Sequence, residues 1–440
     1  MAKKTISDIS IEKLAHGGDG LGYLPDGRVL FVPGAVPGDR VDIELSRDKK
    51  TWAKGQIASI REASSARVEV ECDAFERGCG GCQFWQIGYA DELQWKVDAA
   101  VEAMRRISGV DLPDPETFGA ETVRDYRSRV TYHQRHQDGK LVRGFYEKGS
   151  RRVVRVNQCP VARPVLDEAV AELDGALDQL GEADITVETA GDNAAVVLIE
   201  LTGGQRIKQD YLEELARRID QGTAVVGVEI LDEHEEYFYI GDTTVVAEEV
   251  LADPPVEGMR VEAGRFRQAN RAMNHKLVGE VVRIVEAGWE NPRVLELFCG
   301  SGNFSFSLSD VAEQLTGYEG SEGAVATARR IAELSGKTEM MRFEGADLSD
   351  EHVVDQILEE PFEVLVLDPP RQGASEVAEA VVRRGRRGQI VYVSCDAACL
   401  GRDIKTLCEG GWSVEQMAVF DMFPRTAHLE VVAVLENTGE

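Results

Sequence analysis

The last third of the chain limits the fold most. Short apolar runs, RVLELF (293–298), FEVLVLDPP (362–370), QIVYVSC (389–395) and VVAVLE (431–436), alternate there with stretches of helical spacing. Runs of this kind suit strands buried on both faces, and their alternation with helices predicts a doubly wound α/β sheet from about residue 262 to 440. At 440 residues the chain exceeds a single core, so two or three domains are expected. Residues 1–61 alternate apolar and polar positions, as at Val41, Ile43 and Leu45, between glycine and proline turns. That pattern predicts a small all-β barrel. Residues 62–261 are mixed, an α+β region. Within it Leu93, Val97, Val101, Met104 and Ile107 keep the spacing of one long helix over 89–107. ADPPV (252–256) reads as a linker to the last domain.

The formal net charge of −29 argues against a generic polyanion binder. Locally the balance reverses: from Arg124 to Arg163 there are eleven Lys or Arg against three Asp or Glu. Such a band could steer RNA to one face. No segment reaches the ~20 apolar residues of a membrane span, and the start, MAKKTISDIS, lacks a secretory apolar stretch. A cytoplasmic protein is expected, in which the eight cysteines are read as metal-binding or catalytic thiols rather than disulfides.

In LELFCGSGNFS (295–305) a strand runs into a glycine turn and then a helix, and Gly300 and Gly302 would let a ligand approach the backbone. A lone GxG also serves as an ordinary turn. Glu319, about twenty residues on at the end of the next strand, strengthens the reading, because an acid there can accept hydrogen bonds from ribose hydroxyls. The third glycine of the dinucleotide pattern is missing, and no basic residue awaits a pyrophosphate. An adenosine ligand without phosphates is favoured, with S-adenosylmethionine the natural candidate. Asp347 in FEGADL could meet the adenine amino group, or could cap a helix.

Asp368 and Arg371 lie in DPPR after the fourth strand, where two prolines stiffen the turn. Similar turns serve amine methylation, which needs no nucleophile. Cys395 points elsewhere. The fifth carbon of uracil becomes nucleophilic only after something adds at the sixth, and a thiolate can do that. A base must then remove the proton from the fifth carbon, and Glu430, after the Pro424 turn, is the candidate. His428, two residues earlier, is placed on the same face of a strand, to orient the base or to fill a buried polar contact. Asp396, Cys399 and Arg402 shape the nucleophile's loop, while Cys299 and Cys408 pack.

Cys72, Cys79 and Cys82 form C-x6-C-x2-C, with Cys159 a distant fourth. One CxxC does not make a zinc ribbon, and a three-plus-one thiolate set suits a 4Fe-4S cluster better. Zinc and uninvolved thiols remain open at this point.

With these motifs in place, the chain resembles the RNA uracil-5-methyltransferases over nearly its full length, most of all their iron–sulfur, large-subunit rRNA type. The resemblance implies a TRAM domain of oligonucleotide-binding fold at 1–61. It implies a central RNA-binding domain with a 4Fe-4S cluster at 62–261, and a Rossmann-like S-adenosylmethionine-dependent catalytic domain at 262–440. Phe266–Asn270 is similar to the family's F-x-Q-x-N element, which makes Gln268 a cofactor or substrate contact. By the same resemblance Phe298, Asn303, Glu319, Asp347 and Asp368 line the cofactor and uracil site. Cys395 is implied as nucleophile, Glu430 as proton acceptor, and Cys72, Cys79, Cys82 and Cys159 as cluster ligands. Helix 89–107 is implied to pack on the catalytic domain. Three departures stand out: the loop Ser394-Cys395-Asp396-Ala397-Ala398-Cys399 replaces S-C-N-P-x-T, the first cysteine spacing is one residue longer, and Arg425 replaces a frequent His or Gln. The expected activity is formation of 5-methyluridine in large-subunit rRNA by a monomer that binds RNA and no membrane. A tRNA loop as substrate, a radical enzyme with an RNA-binding barrel, and a non-catalytic RNA-binding protein are the alternatives.

Overall fold

The structure, a computed structural model, describes residues 5–203, 207–246, 260–265, 267–437 and 439. The expected linker at 252–256 and Phe266 lie outside these residues.

Strands Thr5–Leu14, Gly20–Tyr23, Val29–Val32, Arg40–Asp48 and Trp52–Glu62 close into a five-stranded barrel. Alternation puts Ile9, Ile11, Leu30, Val32, Val41 and Ile43 inside. A Cβ at Gly22 would lie 2.5 Å from the Ser10 carbonyl oxygen, so the barrel closes only with glycine there.

A seven-stranded sheet follows, in the order Tyr237–Gly241, Val225–Leu231, Ala195–Leu201, Ala183–Thr189, Arg129–Gln137, Lys140–Tyr146, Val153–Arg155. Helices Pro164–Leu177 and Gln209–Gln221 share a core with this sheet through Leu166, Leu173 and Leu215.

The last sheet has eight strands, in the order Met341–Gly345, Gln314–Glu319, Arg293–Leu297, Val364–Leu367, Gly388–Ser394, Glu430–Asn437, Ser413–Phe420, Glu116–Phe118. Only Glu430–Asn437 runs antiparallel to its neighbours. Strand order switches between Arg293–Leu297 and Val364–Leu367, and such a switch point gives the crevice that open α/β sheets use at the carboxyl ends of their strands. Val364–Leu367 is buried at every position, as a strand covered on both faces must be.

Two pieces of this layer come from far upstream. Strand Glu116–Phe118 completes the sheet edge, with Phe118 stacked on Phe420 at 4.5 Å. Helix Tyr89–Ser108 packs Val97, Val101 and Met104 into the same core as Leu400 and Ile404 of helix Ala397–Glu409. Gly401 permits that closeness, since a Cβ there would sit 3.1 Å from the Met104 backbone. No helix among the described residues is long and apolar enough to cross a membrane.

Candidate active site

Cys395 ends the strand Gly388–Ser394, and Glu430 begins the antiparallel strand beside it. Ser394 pairs with Val431, so the two residues lie across neighbouring strands, with Cys395 just past the last rung. Asp396 follows as the N-cap of helix Ala397–Glu409, accepting from the amides of Ala398 and Cys399 at 2.9 Å. The cap turns the chain sharply and leaves the Cys395 thiol facing a cleft.

That cleft is lined by Arg371, Cys395 and His428, by the barrel turn His16–Gly18, by Gln83, and by Lys96 of the helix Tyr89–Ser108. Five separate stretches of chain therefore meet around one cysteine. His428 is not on a strand, contrary to the sequence expectation, because Glu430–Asn437 begins two residues later. Its Nε2 lies 3.4 Å from Arg371 Nη2.

The electrostatics are unusual for a surface cleft. Burial pushes the Cys395 thiol up to about 11, and Glu430 adds to the rise while Arg371 opposes it. Glu430 is itself buried and held well above the usual carboxylate range, first by desolvation and then by Asp368. Desolvation and the nearby Glu319 lift Asp368 to about 7. His428 goes the other way, down to about 4, through burial and the cations Arg371, Lys96 and Arg127.

The glycine turn sits at the end of strand Arg293–Leu297. Phe298 takes a φ of 63°, a region non-glycine residues seldom occupy, and Gly300 follows at 57°. A Cβ on Gly300 would meet nothing within 4 Å, which leaves open space against the backbone. Glu319 accepts from the amides of Gly300 at 3.1 Å and Ser321 at 2.8 Å, which fixes its carboxylate beside the turn. Asn303 exchanges amide hydrogen bonds with Asn274 at 2.8 and 3.1 Å. Gln268 is half-buried, and two residues on Asn270 caps the helix Arg271–Gly288 while donating to the Met422 carbonyl at 3.1 Å. Asp347 is exposed and bonded to Ser349. It is not a helix cap; Asp350 caps the following helix, Glu351–Ile357.

Glu296 was invisible as a site residue. It is fully buried on the strand before the glycine turn, bonded through one oxygen to Ser305 and unpartnered at the other. Burial lifts it to about 8, with Asp368 and Glu319 contributing. A lone acid inside the apolar run RVLELF is the signal that could have found it. Gln83, Lys96 and the His16–Gly18 turn carry no comparable mark.

Cys72, Cys79, Cys82 and Cys159 line a separate, mostly apolar cavity with Trp85 and Arg127. Burial raises the Cys79 thiol, and it lifts Cys82 to about 12 and Cys159 to about 11. Among the described residues no three His, Cys, Asp or Glu converge as ligands of one ion would. Trp85 Nε1 and Arg127 Nε are buried without hydrogen-bond partners.

The basic band is less basic than its sequence. Arg135 pairs with Asp184, Arg143 with Asp174 and Asp178, Arg163 with Asp192, and Arg124 with Glu71, all acids from outside the band.

Comparison with known proteins places the chain in a family. Residues 88–438 match the model of the family described as tRNA (Uracil-5-)-methyltransferase, and residues 5–58 match the TRAM domain. The 23S rRNA (uracil(1939)-C(5))-methyltransferase RlmD of Vibrio vulnificus is 31% identical over 98% of this chain and 96% of its own. The protein of that name from Vibrio campbellii is 32% identical over the same shares. A crystal structure of Pyrococcus abyssi tRNA (uracil-54, C5)-methyltransferase with S-adenosyl-L-homocysteine has the same fold, at a TM-score of 0.72 and 21% identity, covering 98% of this chain and all of that one. The chain belongs to the uracil-5-methyltransferase family and carries a TRAM domain at its N-terminal end.

Proposed function

We propose that this enzyme transfers a methyl group from S-adenosylmethionine to the fifth carbon of a uridine in large-subunit rRNA. The observation that carries the chemistry is the meeting of Cys395 and Glu430 across neighbouring strands, with Cys395 facing a cleft that Arg371 also lines. The rRNA substrate is supported by relatives named for 23S rRNA that align over nearly the whole chain.

S-adenosylmethionine supplies an electrophilic methyl group on a sulfonium sulfur. The open backbone at Gly300 and the fixed Glu319 carboxylate fit an adenosine held at the glycine turn. Gln268, Phe298, Asn303, Asp347 and Asp368 complete that side of the site. The Cys395 thiol, protonated at rest, must give its proton to water in the cleft before its sulfur bonds to the sixth carbon of uracil. Arg371 is the nearby cation that favours the thiolate. After methyl transfer Glu430 takes the proton from the fifth carbon, and the carbon–sulfur bond breaks to return the Cys395 thiolate. Burial suits Glu430 to this step, since a desolvated carboxylate is a stronger base than one in water. The target base has to leave its stack to reach so enclosed a thiol.

The four-cysteine cavity fits a 4Fe-4S cluster better than zinc. A single zinc draws its sulfurs to ~2.3 Å, whereas these thiols line a shared cavity without converging on a point. The unpartnered Trp85 and Arg127 N–H groups suit a group rich in sulfur acceptors. The cysteines would ligate as thiolates, so binding releases their protons. In this reading residues 1–61 and 62–261 hold RNA and the cluster, and 262–440 carries the reaction.

Cys395→Ala is expected to abolish both methyl transfer and the covalent complex with rRNA containing 5-fluorouridine. A surviving complex would remove Cys395 as nucleophile. Mapping 5-methyluridine in rRNA and tRNA from a strain lacking the gene assigns the substrate, and a loss confined to tRNA would overturn rRNA.

A further inference from the structure

Behind the cleft lies a second set of buried charges that the proposed reaction does not use. Glu92 and Lys96 stand one turn apart on the helix Tyr89–Ser108, while Asp421 and Arg425 belong to the turn that leads into Glu430. Lys96 Nζ lies 2.6 Å from Asp421 and 3.8 Å from Glu92. Arg425 donates to Glu92 twice, from its backbone N–H at 2.6 Å and its guanidinium at 2.9 Å. All four side chains are at least nine-tenths buried. Two acids thus face two bases with almost no water, an arrangement that apolar residues usually match or exceed in stability.

Arg425 is also strained. Its φ of 69° lies where non-glycine side chains seldom go, and its guanidinium sits over Trp85 at 5.1 Å. The Arg425 carbonyl accepts from the amides of Gln83 and Phe84 at 2.8 and 3.1 Å, and Gln83 Oε1 accepts from the Ala427 amide at 3.1 Å. The turn is therefore held from the helix on one side and, on the other, from the residue that follows Cys82.

We propose that Arg425, paired with Glu92, is a positioning residue for proton removal by Glu430. The inference rests on the reading of Glu430 as the base. Glu430 opens its strand, so its place beside Cys395 is set by where the preceding turn is anchored. Cys395 hangs from a different strand and its own capped helix, which meets the helix Tyr89–Ser108 at Met104 and Gly401 rather than at Glu92 or Arg425. Loosening the anchor should therefore leave addition to the ring intact and slow the later proton removal. A displacement of about 1 Å at a reacting group can cost about 100-fold in rate.

Removing one charge alone strands another in the interior, so the test uses Glu92→Gln with Arg425→Gln, which leaves Lys96 and Asp421 paired. The double variant is expected to melt near the wild type and to trap 5-fluorouridine rRNA at the wild-type rate. Its kcat on uridine rRNA should fall at least ~10-fold, with a methylated covalent adduct accumulating. Arg425→Lys, which keeps the charge but loses the Nη1 bonds to Glu92 and the Ile87 carbonyl, should fall between the two, and it carries the same test if the double variant does not fold. Turnover within twofold of the wild type, or equal loss of trapping and turnover, overturns the proposal. Glu430→Gln measured alongside separates the two ideas. Normal turnover there sinks the base assignment itself. If Glu430→Gln accumulates adduct and the Arg425 variants do not, only the positioning role is lost.

Discussion

The cleft around Cys395 and the charge network behind it are both buried and both rich in carboxylates, yet they treat charge in opposite ways. In the network Glu92 and Asp421 each have a cation within 4.0 Å, supplied by Lys96 and Arg425. Burial still lifts Glu92 to about 7, against the pull of both cations. Beneath the cleft and the glycine turn Glu430, Asp368 and Glu296 sit near other acids, and burial moves Asp368 to about 7 and Glu296 to about 8. The difference separates two uses of a buried carboxylate. Paired, it fixes backbone whatever burial does to its proton; set beside other acids, it is left to hold and release a proton.

The strongest challenge to this contrast is Glu430→Gln. Loss of a general base should lower single-turnover product release by about 10²–10⁴-fold, while the melting temperature stays the same or rises. A large drop in melting temperature would mean that Glu430 holds structure, as the network does. Next in size is Lys96→Met, which strands Asp421 and should lower stability by about 3–5 kcal/mol in urea unfolding. A change below ~1 kcal/mol would show the network to be dispensable.

Asp368→Asn sharpens the comparison through pH. The folded pKa of Asp368 is raised, so the folded state holds this proton more tightly than the unfolded chain does. Its contribution is full at low pH and is lost as pH climbs from the unfolded carboxylate range toward about 7. The variant should therefore gain on the wild type over that window, by on the order of 4 kcal/mol, in melts taken at successive pH values. A constant difference between the two would break the assignment of a protonated Asp368. Smallest of all is Lys13→Met. Lys13 pairs with Glu102 on the same helix as Lys96, but both partners are exposed. Unfolding should change by less than ~1 kcal/mol.

Much of this was legible in the sequence, for reasons specific to each element. The strands of the last sheet are continuous apolar runs because both their faces are covered, and such runs are hard to mistake. Cys395 and Glu430 could be paired by chemistry, but their contact depends on one strand running against its neighbours, which spacing alone does not encode. Strand Glu116–Phe118 is only three residues of mixed polarity and carries no period at all. The basic band misled in the opposite sense. Its charge was counted within a window, whereas its partners Asp174, Asp184 and Asp192 come from outside that window.

The edge strand Glu116–Phe118 and the helix before it bear on how such a molecule comes into being. Tyr89 donates to Asp421 across 332 positions of sequence, and Phe118 stacks on Phe420. During synthesis the early helix and strand must wait, partnerless, until almost the whole polypeptide has left the ribosome. Folding that depends on so distant a union is slow. A fragment beginning at residue 262 would emerge with its outermost strand uncovered, inviting a neighbouring chain to fill the gap.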